Sequence, residues 1–261
     1  MSNIYQKDIK HIGLLSAMPE EVGFIIDNLT SVNSFRFGDI EIFSGELVIN
    51  SKKINITTAW SGWGKVSAAR ATTRIISINS GNNPIDLLIF TGVAGGVDLD
   101  LKQWDIVIAD SIIQHDMDAR PLFKRYVIPS IGNDKVIPNQ FLIEEIFKFL
   151  KKTINKDRFK IFGSIHKGLI ATGDNFIAES NKIKKLSEEI PGLLAVEMEG
   201  AAFAQVADQE NVPWVVMRVI SDSADENADS EFSEFLEKYK FKAFDLIKQI
   251  LEIIIDFKFK N

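Results

Sequence analysis

Strand-length apolar runs, each stopping at a charged or glycine-bearing turn, constrain the fold of this chain more than any other feature. Ile12-Gly-Leu-Leu-Ser-Ala-Met18 leads into Pro19-Glu-Glu21, and Ile85-Asp-Leu-Leu-Ile-Phe-Thr91 leads into Gly92-Val-Ala-Gly-Gly96. Pro191-Gly-Leu-Leu-Ala-Val196 stops at Glu197-Met-Glu199, and Trp214-Val-Val-Met217 stops at Arg218-Val-Ile-Ser-Asp222. Runs of this kind fit strands covered on both faces, while Val66 to Ile78, Gln140 to Ile154 and Ala201 to Glu210 carry helical spacing. Glu20 to Leu29 reads as a helix entered through Pro19, Ile40 to Val48 and Lys53 to Trp60 as a hairpin, and Ser230 to Phe257 as a helical apolar stripe. The alternation predicts an α/β fold with a mixed, mainly parallel central sheet flanked by helices. A chain of 261 residues buries a large core, and one domain over residues 1–261 is expected.

Acids at the ends of apolar runs are the second signal. In open α/β sheets the carboxyl ends of strands line the ligand crevice. Glu197 and Glu199 stand at a strand-to-helix junction, where side chains two apart share a face if the backbone is extended. If the helix has already begun, they diverge by about 200° and only one faces a ligand. A competing reading has both acids stabilise the positive end of the following helix, and Glu21, taken alone, fits that role too. Acids at three strand ends, around Glu21, Glu199 and Asp222, favour one shared site.

The rest of the chain narrows the chemistry. A formal charge of -6, with Lys and Arg interspersed among acids, argues against binding a phosphate backbone, so no nucleic acid partner is expected. The absence of cysteine excludes disulfides and thiolate chemistry. No run approaches a membrane span and the start does not read as a secretory signal, so a cytoplasmic protein that engages no membrane is expected. The Gly92 to Gly96 stretch has neither the dinucleotide-binding spacing nor a following Lys-Ser/Thr pair. His115, Asp116 and Asp118 lack a second His in range and make a poor zinc set, so neither metal nor cofactor is expected.

Six motifs occur in one order: Ser16-Ala-Met-Pro-Glu-Glu21, Ser61-Gly-Trp-Gly-Lys-Val66, Thr91-Gly-Val-Ala-Gly-Gly96, Thr172-Gly-Asp-Asn-Phe-Ile177, Val196-Glu-Met-Glu-Gly-Ala-Ala202 and Arg218-Val-Ile-Ser-Asp222. Over about His11 to Ile250 this set resembles the 5'-methylthioadenosine/S-adenosylhomocysteine nucleosidases, of the purine nucleoside phosphorylase and nucleosidase superfamily. The resemblance implies a nucleoside phosphorylase-like fold that cleaves the N-glycosidic bond of adenine nucleosides with water. It implies Asp222 as the acid that protonates the base and Glu21 as the group that takes a proton from water. Glu199 would bind the ribose hydroxyls beside the Met198 backbone, Phe176 would stack on the base, and Ile177 and Gly95 would supply close backbone contacts. Read from the residues alone, Phe176 serves equally well as plain core. Arg218 and Ser221 would support the water and Asp222, while Met18, Trp63 and Phe232 would wall the 5'-thio substituent.

By the same resemblance, Leu122 and Pro129 fall in a segment that reaches a neighbouring subunit's site, which implies a homodimer. Two departures stand out: Val93 occupies a position where bacterial members usually carry Ser, and the tract His115 to Pro129 differs from the commonest form. The phosphorylase branch binds phosphate at positions that here carry Glu21, Phe90 and Val93, which favours water as nucleophile. A hydrolase for another 6-substituted purine nucleoside, such as futalosine, and a non-catalytic nucleoside-binding protein on the same fold are the alternatives.

Overall fold

The Ile85 to Thr91 run becomes the hub of the molecule, because its strand continues through the glycines that follow it. In the computed structural model, which describes residues 7–81, 83–154, 159–223 and 228–259, the strands are β1 (Lys7–Asp8), β2 (His11–Ser16), β3 (Thr30–Phe37), β4 (Ile40–Ile49), β5 (Lys52–Trp60), β6 (Leu87–Gly96), β7 (Ile106–Gln114), β8 (Lys135–Val136), β9 (Ile165–Thr172), β10 (Leu193–Glu197), β11 (Trp214–Asp222) and β12 (Lys258–Phe259). The helices are α1 (Lys65–Ile78), α2 (Gln140–Thr153), α3 (Ser180–Glu189), α4 (Gly200–Gln209), α5 (Ala228–Tyr239) and α6 (Ala243–Ile254).

β6 lies parallel to β2 on one side and to β11 on the other, and its glycine end also pairs antiparallel with β10, Gly95 opposite Val196 and Gly96 opposite Ala195. The path β6, β11, β7, β9, β10 therefore returns to β6, so this half of the sheet closes on itself. Beyond β2 the sheet extends through β5 and β4 to β3 as an open wing. The mixed sheet flanked by helices matches the expected α/β class, with antiparallel pairings (β3–β4, β4–β5, β6–β10, β7–β8, β7–β11) as prominent as parallel ones. Apolar runs report that a strand is covered; they do not encode its direction.

Helices cover both faces. α1 and α4 pack together on one side, where Ala68, Ala71, Ala201 and Ala204 are fully buried. On the other side Leu142, Ile143 and Ile146 of α2 join Leu246, Ile250 and Ile254 of α6 and Phe235 and Tyr239 of α5. Among the described residues no helix is long and apolar enough to cross a membrane.

The expected helix from Glu20 to Leu29 is instead two short 3-10 turns, Pro19–Glu21 and Ile26–Asn28. Gly23 interrupts it at φ 57°, with the Lys240 carbonyl so near that a Cβ would lie 2.8 Å away. The tail stripe likewise divides into α5 and α6 around a turn in which the Lys242 amide donates to the Tyr239 carbonyl at 2.7 Å.

A polar chain anchors the start of β2. His11 is buried, with Nδ1 2.9 Å from the Asn83 carbonyl and Nε2 2.8 Å from the Thr57 hydroxyl, which in turn lies 2.9 Å from Ser44 Oγ. The carbonyl requires Nδ1 to donate, and the Thr57 hydroxyl can serve Nε2 either as donor to a neutral ring or as acceptor from a charged one. Burial lowers the His11 pKa below its ordinary value of 6.5. Because the folded pKa lies below the unfolded one, this contribution is complete above about pH 6.5 and is lost as pH falls toward the folded value. Urea unfolding at pH 5 and pH 8 should show a larger acid loss of stability for the wild type than for His11→Gln; equal losses would mean that His11 does not titrate against folding.

Candidate active site

Glu21 reaches the site because the chain turns sharply after β2. Its Oε2 accepts the amides of Ala17 (2.8 Å) and Met18 (2.9 Å), and its Oε1 accepts the amide of Val93 at 2.9 Å. The last bond ties the first strand end to β6. Glu21 is 2% exposed; burial raises its pKa above the ordinary carboxylate value, with Arg218 and the three amides opposing.

At the junction after β10, each of the two readings holds for one acid. Glu197 accepts the amides of Glu199 (3.0 Å) and Gly200 (2.8 Å), the Thr172 hydroxyl and the Arg218 guanidinium. It therefore serves the positive end of α4 and holds it to β9 and β11. Glu199 occupies the N-cap position of α4 with φ −129° and turns the other way. Its Oε1 accepts the Gly64 amide at 2.8 Å, at the start of α1, and its Oε2 lies 3.5 Å from Arg218 Nη2. Burial, then the neighbouring charge of Glu197, pushes the Glu199 pKa up to about 8 against the pull of Arg218.

Arg218 is fully buried on β11, with its guanidinium 4.7 Å from the Phe90 ring centre. It pairs with Glu197, approaches Glu199, and places Nη1 3.9 Å from Glu21 Oε1. Burial works against its charge, but the carboxylates of Glu197, Glu199 and Glu21 outweigh it and raise its pKa. Gly92 makes this grouping possible, since a Cβ there would overlap both Glu21 Oε1 and Arg218 Nη1.

Asp222 ends β11 after a register irregularity between Ile220 and Asp222, the kind of bulge that re-aims a side chain. The Ser221 hydroxyl donates to its Oδ2 at 2.6 Å. Both residues are buried.

One pocket of about 560 Å³, open to solvent, collects nearly every residue singled out from the sequence. Met18, Glu21, Trp63, Gly95, Phe176, Ile177, Met198, Glu199, Ser221, Asp222 and Phe232 all line it, while Arg218 lies outside the lining, among the acids that it pairs with. Phe232 meets Trp63 at 6.1 Å and Phe176 at 5.9 Å, both edge-on, so three rings form one apolar end. Phe176 is 42% exposed and is therefore not core. Glu197 and Asn175 also line the pocket and were not singled out as ligand groups. The double acid motif held the signal for Glu197; Asn175 carried none beyond its place beside Phe176. Among the described lining residues there is no Lys, Arg or His.

The tract after β7 has other tasks. His115 is buried, Asp116 pairs with Lys65 at 2.6 Å, and Asp118 binds Arg120.

Residues 11–252 match the phosphorylase superfamily. A curated 5'-methylthioadenosine/S-adenosylhomocysteine nucleosidase from Staphylococcus haemolyticus is 34% identical over 244 residues, spanning 93% of this chain and 100% of the relative. The chain belongs to this nucleosidase family of the phosphorylase superfamily. The nucleosidase from Neisseria meningitidis, solved with methylthio-immucillin-A, superposes with a TM-score of 0.82 at 31% identity, covering 94% of this chain and 99% of that one. Futalosine hydrolase of Helicobacter pylori gives 0.80 at 29% identity, covering 94% and 98%.

The buried charge group defines a stability test for this family member. Arg218→Met leaves Glu21, Glu197 and Glu199 without their cation, which should cost about 3–5 kcal/mol at pH 8. The loss should shrink at pH 5, where the acids are free to take up protons. Urea unfolding of both proteins at the two pH values measures it, and a pH-independent loss would point to packing instead of charge.

Proposed function

We propose that this chain hydrolyses the N-glycosidic bond of 5'-methylthioadenosine, S-adenosylhomocysteine and related adenine nucleosides, releasing adenine with water as nucleophile. The observation that carries this reading is one pocket with carboxyl groups from three strand ends, an apolar aromatic end and no cation among its described lining residues. Cleavage of a purine N-glycosidic bond builds positive charge on the ribose and negative charge on the departing base. Carboxyl groups meet both needs, one by donating a proton and others by opposing the sugar's charge.

In this reading Asp222 protonates the base, with the Ser221 hydroxyl holding its second oxygen. Glu21 takes the proton from the attacking water, and its raised pKa suits a general base working near neutrality. Glu199, fixed by the Gly64 amide, accepts the ribose hydroxyls and steadies the cationic sugar. Phe176 stacks on the base, Gly95 and Ile177 bring backbone close to it, and the Met198 backbone lies beside the ribose. Met18, Trp63 and Phe232 take the 5'-thio group. Val93 contributes its amide to Glu21. The water is therefore oriented by carboxylate and backbone at this position, without a side-chain hydroxyl from residue 93.

Phosphate suits this pocket poorly. Arg218 is already matched by three acids, and a carboxylate about 4 Å from a phosphate dianion costs roughly 1 to 4 kcal/mol in a solvated site. A 5'-phosphate on the substrate meets the same objection, whereas a thioether fits the aromatic end. We further propose that the whole chain acts as one catalytic domain in the cytoplasm and pairs as a homodimer. Leu122, 85% exposed, Phe123 and Pro129 carry the exposed apolar surface that a second copy would cover.

Adenine release from methylthioadenosine should proceed in phosphate-free buffer; strict dependence on phosphate, with ribose 1-phosphate formed, would overturn the hydrolytic reading. Turnover of futalosine in preference to methylthioadenosine would move the assignment to the alternative substrate. Asp222→Asn and Glu21→Gln should each lower kcat by about 10²- to 10⁴-fold while binding of a nucleoside analogue persists. Glu199→Gln, which keeps hydrogen bonding but loses charge, should lower kcat more than it raises KM; the reverse pattern would limit Glu199 to binding.

A further inference from the structure

Three residues outside the pocket lining bond to one another in a closed cycle. The Lys65 ammonium donates to Asp116 Oδ1 at 2.6 Å, Asp116 Oδ2 accepts the Asp174 amide at 3.0 Å, and Asp174 Oδ1 accepts the Lys65 amide at 2.8 Å. They come from the start of α1, the tract after β7 and the turn after β9, segments far apart in sequence. Gln114 also accepts from the ammonium, at 3.2 Å, and its own side chain donates to Gln205 of α4 at 2.9 Å.

The cycle leads into the site on two sides. Gly64, the N-cap of α1, has no side chain with which to cap it, so the first amides of the helix need acceptors from elsewhere. Glu199 takes the Gly64 amide at 2.8 Å and Asp174 takes that of Lys65. One helix terminus, favourable to negative charge, thus holds Glu199 and the turn after β9 side by side. Gly64 adopts φ 93°, and a Cβ there would lie 2.9 Å from Asp174 Oδ1, so this approach needs glycine. On the other side of the turn the His115 amide donates to the Thr172 carbonyl at 2.9 Å, and the His115 imidazole lies so close over Gly173 that a Cβ there would overlap Nε2. Phe176 and Ile177 follow on this turn and line the pocket.

The Lys65 and Asp116 side chains are 18% and 23% exposed, and an ion pair in contact with water adds little to folding stability. What the cycle fixes is geometry. We propose that Lys65, Asp116 and Asp174 are positioning residues: their cycle sets the placement of Phe176, on which the base stacks, relative to Glu199, which receives the ribose. A nucleoside then meets both without either having to move, and the cost of ordering the turn is met before binding. None of the three touches the substrate.

The proposal rests on the roles given above to Phe176 and Glu199, and its test separates the two. Adenine binding by calorimetry, methylthioadenosine kinetics and thermal melting are compared for the wild type, Asp116→Ala, Asp174→Ala and Asp174→Asn. Well below melting, both alanine variants should weaken adenine binding and raise KM by about three- to tenfold, with a smaller fall in kcat. Asp174→Asn keeps an oxygen to accept the Lys65 amide and should stay within about twofold of the wild type. Alanine variants that melt lower yet keep wild-type KM and adenine affinity overturn the proposal, as does an equal loss in Asp174→Asn and Asp174→Ala. Hydrogen exchange at single-amide resolution gives a readout independent of turnover. The Asp116 carboxylate bonds to Lys65 and the Asp174 amide, not to Gly64 or Glu199. In Asp116→Ala the Gly64 amide should nonetheless exchange several-fold faster, and unchanged exchange there overturns the proposal. If the wild type releases no adenine, the hydrolytic reading fails while this exchange still decides the role of the cycle.

Discussion

One buried guanidinium organises this molecule. Arg218 is surrounded by Glu21, Glu197 and Glu199, which come from the turn after β2 and from the junction between β10 and α4. No two of the segments carrying Glu21, Glu197 and Arg218 are adjacent in sequence, so their convergence depends on the order of strands in the sheet. Reciprocally, those acids tolerate burial only because the cation is there. Breaking such a group from one side leaves uncompensated charge in a low-dielectric interior, which is why its integrity and that of the fold are inseparable. The excess of carboxyls over cations has a chemical outcome as well. Burial raises the pKa values of Glu21 and Glu199, and at Glu199 the neighbouring carboxylates add to the rise.

The two neighbouring acids of the Glu197-Met-Glu199 motif divide this work. Glu197 faces inward to a helix terminus, a threonine hydroxyl and Arg218, and so fixes the scaffold. Glu199 turns toward Gly64 and the pocket. The strand ends at the first acid and the helix starts after the second. Two residues of irregular backbone, Met198 and Glu199, thus set a structural carboxylate and a pocket-facing one within one short motif.

Much of this was legible before any coordinates. Apolar runs located β2, β6, β10 and β11, and the residues after them supplied Glu21, Gly95, Glu199 and Asp222. What escaped has physical reasons. β3 reads Thr-Ser-Val-Asn-Ser-Phe-Arg-Phe and is almost wholly exposed, so it lacks the burial pattern that reveals a strand. Gly92 to Gly96 looks like a turn, yet it is strand: its backbone pairs with β11 and, at Gly95 and Gly96, also with β10, while a Cβ at Gly92 would overlap Glu21 and Arg218. The helix expected after Pro19 fails at Gly23, where the corner between α5 and α6 presses in from far along the chain. The division of labour between Glu197 and Glu199 turned on local dihedral angles that no spacing encodes.

The closure of the sheet through β10 and β6 has one more consequence. Around the pocket the ring of strands leaves little backbone free to recruit a foreign strand, so self-association by edge pairing has few footholds there. That hazard is moved to β3 at the far rim of the open wing, where Val32 and Phe35 are exposed but Arg36 and several short polar side chains interrupt them. The molecule thereby keeps its most vulnerable border a whole wing away from its chemistry, and encounters at that border need not disturb the acids.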